Sequence, residues 1–172
     1  MSDGRAPVVG FAAFSGTGKT TLLKAVITRL EARGIRVGVI KHAHHDFDVD
    51  TPGKDSYEIR KAGASQMLIG SSQRWALMTE LNGRPEPTLD QLLDELSHAE
   101  LDLVIVEGFK FSPIPKLELR RAARPTRPLY PEDDHVIAIV CDDPGNLEPV
   151  PRSGIDILDI NAPSAVTDYL ID

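Results

Sequence analysis

The sequence predicts an α/β fold: a mostly parallel sheet flanked by helices, with a short antiparallel hairpin as an extension. Two observations predict it. A strand, an amphipathic helix and a second strand follow one another within residues 7–41, and such a βαβ unit implies a parallel sheet with a right-handed crossover. Further on, residues 101–106 (LDLVIV) form an almost continuous apolar run, the pattern of a central parallel strand covered on both faces.

The elements can be justified in order. Residues 7–14 are apolar, short and bounded by a Gly-rich turn, as expected for a buried strand. Residues 20–33 place Leu22, Leu23, Val26, Ile27 and Leu30 at helical spacing, and Gly34 suits the left-handed residue that closes a helix. Residues 35–41 (IRVGVIK) form the second strand, and a polar stretch, 42–54, follows it. A short helix is predicted over 55–62, closed by Gly63. Strands at 66–70 and 74–80 are joined around Ser71-Ser72, with Asn82-Gly83 as a turn after them. Thr88 and Gln91 have capping-box spacing, which predicts a helix from Leu89 to His98. After the apolar run at 101–106, strands are predicted at 116–119, 136–140 and 155–160, and a closing helix from Ser164. Residues 122–134 hold Pro125, Pro128 and Pro131 and then three consecutive acids, so they are expected to form a surface loop.

Composition narrows the possibilities. The chain has 172 residues, 41% hydrophobic and 26% charged, which suits one soluble domain over 1–172 with the hairpin extension at about 66–82. Its 26 acids against 19 bases give a net charge of −7, which argues against sequence-independent nucleic-acid binding. One local site can still be positive and take phosphate. The single cysteine, Cys141, excludes an intramolecular disulfide framework and a Cys-rich zinc site, and it is expected to be a buried small hydrophobe. No apolar run approaches the roughly 18 residues of a spanning helix, so no membrane association is expected. The first residues lack a secretory pattern, and the cytoplasm is the expected compartment.

The chemistry is concentrated in Ala13-Phe14-Ser15-Gly16-Thr17-Gly18-Lys19-Thr20. This is the pattern GxxxxGK[ST] with Ala13 in place of the first Gly, set between a predicted strand and a predicted helix. Gly16 and Gly18 let the backbone curl so that successive N–H groups from Ser15 to Thr21 point at phosphate oxygens, and the helix N-terminus adds its positive dipole end. Lys19 would reach the β- and γ-phosphates, and the Thr20 hydroxyl would bind Mg²⁺. Ala13 must allow close approach without needing positive φ. The fold is therefore expected to be P-loop NTPase-like. Val104-Ile105-Val106-Glu107 fits the acid-ended strand such a loop needs, with Glu107 placed to hold Mg²⁺ through water or to polarise the attacking water. Lys19 and Glu107 are thus the catalytic candidates.

Weaker signals surround this core. His42, His44, His45, Asp46, Asp48 and Asp50 crowd the carboxyl edge after the second strand, where ligands bind in parallel sheets, although the spacing matches no zinc pattern. Lys41 and Lys54 stand at the two ends of this stretch and are placed to meet anionic groups. Arg120, Arg121, Arg124 and Arg127 form a strong basic cluster in an acidic chain, suited to a second phosphorylated molecule, an acidic partner, or simply a solvated face. There is no Asn-Lys-x-Asp string, so the base is not legible from motifs.

The segments FSGTGKTTLL (14–23), VIKHAHHDFDVDTPGKDS (39–56), RKAGA (60–64) and VEGFK (106–110), in this order, resemble the molybdopterin-guanine dinucleotide biosynthesis protein B family, MobB. The resemblance spans about residues 8–143. The phosphate loop is widely shared, whereas the long K-H-x-H-H-D segment running into G-K-D-S is far more specific. The family is similar to the signal-recognition, MinD and dethiobiotin-synthetase branch of P-loop proteins. The resemblance implies GTP and Mg²⁺ as ligands, hydrolysis that is slow at best, and a homodimer. It also implies a MobA-type guanylyltransferase as partner, assisted in attaching GMP to molybdenum-bound molybdopterin. Carried over by position, it implies Gly16, Gly18, Lys19, Thr20 and Thr21 at the phosphates, and Asp48, Asp50 and Glu107 around the magnesium. Two alternatives belong to other classes. In a small-molecule kinase or ATP-dependent ligase the arginines at 120–127 would be a lid. In an interaction protein the phosphate loop would serve only the fold.

Overall fold

The computed structural model describes residues 4–43 and 47–172. Its main sheet contains strands β1 (Val8–Ala12), β2 (Val37–Lys41), β5 (Leu103–Glu107), β6 (Lys116–Arg120), β7 (Val136–Cys141) and β8 (Asp156–Asp159). Their spatial order is β2-β5-β1-β6-β7-β8, and every neighbouring pair is parallel. Strands β3 (Gln66–Gly70) and β4 (Trp75–Thr79) form a separate antiparallel pair. The helices are α1 (Lys19–Ala32), α2 (Asp55–Lys61), α3 (Leu89–Asp94) and α4 (Pro163–Ile171).

The apolar run over 101–106 shows why the sheet is buried on both faces. Leu103 and Ile105 point to one side, where they meet Leu22, Leu23, Val26 and Leu30 of α1, Leu117 and Leu119 of β6, and Val166 of α4. Val104 and Val106 point to the other side, against Ile40 of β2 and Leu89 and Leu93 of α3. Alternation along one strand thus feeds two cores, and a strand in that position has no room for polar residues. Cys141 is buried beside Tyr130, Val136 and Ile139, and burial pushes its thiol up from the ordinary value.

Helix α3 is shorter than its capping pattern suggests, ending at Asp94, and a 3₁₀ turn follows at His98–Glu100. The His98 ring explains the stop. Its Nδ1 accepts from the Ala6 N–H at 3.2 Å, which leaves Nε2–H to donate to the Leu93 carbonyl at 2.8 Å. A side chain downstream thereby takes a carbonyl that a longer helix would have bonded internally.

The chain divides into two compact units. The first comprises residues up to His42 together with Leu89–Asp172 and contains the six-stranded sheet. The second, Ala43–Thr88, contains α2 and the β3–β4 pair. In that pair Met67 faces Met78 and Leu68 faces Leu77 across the ladder. Leu68, Trp75 and Leu77 remain 64%, 67% and 42% exposed.

Candidate functional site

In the first unit the segment between β1 and α1 has the geometry that its sequence demands. Gly16 and Gly18 adopt φ of +79° and +87°, left-handed values that other residues rarely take. Ala13 is not among the positive-φ residues, so alanine meets the requirement of that position. The Thr17 hydroxyl donates to the Phe14 carbonyl at 2.9 Å and ties the turn across its base. Gly18 is the N-cap of α1, no side chain caps it, and the first turn carries no acid. The N–H groups of that turn therefore face outward at the positive end of the helix dipole, ready for an anion.

Glu107 stands at the end of β5, level with Phe11 of β1 and Lys41 of β2. Its carboxylate lies 3.2 Å from the Lys19 ammonium and 3.1 Å from that of Lys41. Burial disfavours the charged form of Glu107, but the Lys41 hydrogen bonds and the field of Lys19 outweigh it and hold the carboxyl below its ordinary value. The anion that meets Lys41 is thus the protein's own. The next residue, Gly108, has φ +110°, and a Cβ there would stand 2.3 Å from the Cβ of His42. Only glycine lets β5 end beside the exit of β2, where the His42 N–H donates to the Glu107 carbonyl at 2.8 Å.

Buried charges on β6 anchor the loops on either side of it. The Lys116 side chain is 1% exposed, and its ammonium donates to the Lys110 and Ser112 carbonyls and to the Asp133 carboxylate, using all three donors. This holds the segment that follows Glu107. Lys110 places its ammonium 4.6 Å from the ring centre of Phe14. The buried Glu118 carboxylate accepts from the Leu129 and Tyr130 N–H groups and from Arg120, whose other terminal nitrogen donates to the Thr126 carbonyl. The loop expected at the surface over 122–134 is mostly exposed, but Glu118 draws Tyr130 into the interior.

The arginine cluster separates into different roles. Arg120 is part of this anchor, and Arg127 pairs with Glu132 at 2.6 Å. Arg121 donates from Nε to the Thr17 carbonyl at 3.3 Å and from Nη1 to Asp142 and Asn161. Arg124 lies against Gly16. Lys19, Thr20, Glu107, Arg121 and Arg124 therefore share one unit, and Lys41, Arg121 and Arg124 are the contributors whose placement no motif announced.

In the second unit Asp48 accepts two hydrogen bonds from the buried Arg60, at 2.7 and 2.6 Å. The Arg60 bonds come first, and the Asp50 N–H second, in holding the Asp48 carboxyl below its ordinary value. Arg60 also pairs with Glu80 at 2.5 Å. Asp50 accepts from Ser56 and from the Thr51 N–H through Oδ1, while Oδ2 is buried with no hydrogen-bond partner among the described residues. His44, His45 and Asp46 lie outside the described residues, and among the described residues no group of three or more His, Cys, Asp or Glu gathers as a metal cluster.

The sequence model of the family described as molybdopterin guanine dinucleotide synthesis protein B matches residues 8–142. The chain is 50% identical over 167 residues to the molybdopterin-guanine dinucleotide biosynthesis adapter protein of Escherichia coli, covering 96% of this chain and 92% of that protein. It is 42% identical over 165 residues to the adapter protein of the same name from Haemophilus influenzae, covering 95% and 87%. Among solved structures, that of Bacillus subtilis MobB superposes with a TM-score of 0.70 at 26% identity, covering 96% of each chain. No helix among the described residues is long and apolar enough to cross a membrane.

Proposed function

The chain belongs to the molybdopterin guanine dinucleotide synthesis protein B family, and from that membership we propose that it acts as a GTP-binding adapter in molybdenum cofactor biosynthesis. In this role it assists a MobA-type guanylyltransferase in attaching GMP to molybdenum-bound molybdopterin, in the cytoplasm. The observation that carries the nucleotide part is the loop before α1, where left-handed glycines, an uncapped helix N-terminus and Lys19 converge. Ser15 to Thr21 would hold the phosphates through backbone N–H groups, and Lys19 would move from Glu107 toward the β- and γ-oxygens.

The residues at hand also fit magnesium. Mg²⁺ keeps several waters and takes only one or two protein groups beside the phosphates, so the Thr20 hydroxyl and the Glu107 carboxylate suffice. When bound, the ion neutralises charge between the β- and γ-phosphates. Asp48 and Asp50 are implied at the magnesium by the family resemblance alone; within their own unit Asp48 is engaged by Arg60, and Asp50 keeps a buried carboxylate oxygen without a partner among the described residues.

A homodimer is part of the same proposal. The β3–β4 ribbon stands as a two-stranded sheet with Leu68, Trp75 and Leu77 exposed, and such ribbons are marginal in water without a partner. Light scattering at micromolar concentration should give a dimer mass, and a monomer mass would remove that part. The central test is equilibrium binding of GTP and ATP with and without Mg²⁺. GTP is expected to win in competition; equal or tighter ATP binding would favour the kinase or ligase alternative, and no nucleotide binding would leave the loop a purely structural turn.

A further inference from the structure

The four arginines between residues 120 and 127 do not have equal surroundings. Arg120, Arg121 and Arg127 each hold a carboxylate or carbonyl. The Arg124 side chain holds none among the described residues, although the chain carries a net charge of −7 and acids are plentiful. Its position is set by its neighbours. The Arg124 N–H donates to the Arg121 carbonyl at 2.9 Å, and the adjacent Ala122 N–H donates to Asp142 at 2.9 Å. Arg121 then fastens the start of this turn to the Thr17 carbonyl of the phosphate loop. The result is that the Arg124 guanidinium lies flat against Gly16: a Cβ at that residue would stand 2.9 Å from Cζ, 3.0 Å from Nη1 and 3.1 Å from Nε. The missing side chain of Gly16 is what admits the guanidinium.

A planar cation without a counter-ion among the described residues, held by a braced turn against a loop whose N–H groups await an anion, has one chemical complement. We propose that Arg124 donates to phosphate oxygens of the nucleotide bound by residues 13–20, with Arg121 as the positioning residue that keeps the turn on the loop. This rests on the nucleotide-binding role proposed above. The fork of a guanidinium suits two oxygens at once, and the contact adds positive charge from a different strand end than Lys19 does.

The test compares Mg²⁺–GTP affinity of the wild type with that of Arg124→Ala, Arg124→Lys and Arg127→Ala, with Lys19→Ala as reference. Inorganic tripolyphosphate serves as a competitor, and thermal melts verify folding. Arg124→Ala should lose about tenfold or more in affinity for both GTP and tripolyphosphate, the size of a charge-assisted hydrogen bond. Arg124→Lys should recover only part of the loss. Arg127→Ala removes a charge from the same loop and should change affinity less than about twofold, since exposed pairs and distant charges are screened. If Lys19→Ala weakens binding while Arg124→Ala does not, the role of Arg124 is overturned and the nucleotide site stands. If Arg124→Ala weakens GTP but not tripolyphosphate, a phosphate contact is overturned. If the wild type binds neither ligand, the site itself falls, and this role with it.

Discussion

The Lys19 ammonium lies 3.2 Å from a carboxylate oxygen of Glu107, so the cation of the phosphate loop is held by the acid at the end of the neighbouring strand. Glu107 also takes Lys41 from the strand on its other side. The two lysines are not equivalent. Lys19 starts α1, at the end of the proposed phosphate site, whereas Lys41 ends β2 and is the more exposed. A triphosphate would compete with Glu107 for Lys19 alone, and Lys41 would remain to keep the carboxylate charged. That arrangement stores the lysine in a defined place without burying an unpaired charge.

Lys19→Ala should weaken GTP binding by roughly 1.5–3 kcal/mol, or about 10- to 150-fold, the value of a hydrogen bond to a charged group. Isothermal titration with Mg²⁺ present measures it directly. Unchanged affinity would mean that Lys19 stays on Glu107 when nucleotide binds.

Glu118→Ala should destabilise the protein by about 3 kcal/mol. The substitution leaves the Leu129 and Tyr130 N–H groups and one Arg120 nitrogen without their acceptor in a buried setting. Glu118→Gln retains a carbonyl acceptor and should cost about half as much. Urea unfolding of both variants gives the comparison. A loss under about 0.5 kcal/mol, the size of an ordinary surface change, would contradict the anchoring role.

These contrasts show what the sequence could and could not disclose. The βαβ unit, the phosphate loop and the acid ending β5 were legible because period, spacing and residue type all agree locally. Strand β6 was not legible as to its role. Its sequence, KLELR, alternates charge and leucine, which reads as a strand with one wet face. Yet Lys116 and Glu118 are buried, because the loops on either side fold over that face and supply their partners. Apart from Arg120 on the strand itself, the partners lie 4 to 17 positions away in the chain, at residues that look like ordinary loop. The arginine cluster was visible as composition, but which arginine meets the phosphate loop depends on the turn made by 121–124. Helix α3 ended early for a similar reason, since the ring of His98 intercepts a carbonyl.

The pair Arg36–Asp102 offers a pH-dependent check. The Arg36 guanidinium hydrogen bonds first, and its backbone N–H second, bring the Asp102 carboxyl down from 3.8 to about 2. A carboxyl depressed by folding adds stability that is complete above its unfolded pKa and is lost as pH falls through its folded value. The contribution should therefore persist at pH 5 and fade as pH drops from about 4 toward 2. Carbon-detected NMR titration should find Asp102 well below the ordinary aspartate value. Arg36→Ala should return it toward 3.8, and an unmoved titration in that variant would contradict the assignment.

Turnover gives the last test, because the same Glu107 contacts that organise the site also limit its chemistry. A carboxylate that activates water must accept a proton, and the two lysines facing Glu107 make it a weak base by favouring its charged form. Phosphoryl transfer also needs charge placed for the transition state, often by an arginine delivered on association with a partner. Unaided hydrolysis of GTP should therefore be slow, well below the ~10 s⁻¹ typical of enzymes. Glu107→Gln removes the negative charge that Mg²⁺ would use, and it also frees Lys19 for the phosphates. The variant should keep GTP bound while needing a higher Mg²⁺ concentration to reach its full affinity, and its residual hydrolysis should fall. A magnesium titration of GTP binding and a phosphate-release assay, run on wild type and variant together, measure both effects. Fast turnover by the unaided wild type, or an unchanged magnesium requirement in Glu107→Gln, would show that the acid at the end of β5 serves only to hold the two lysines.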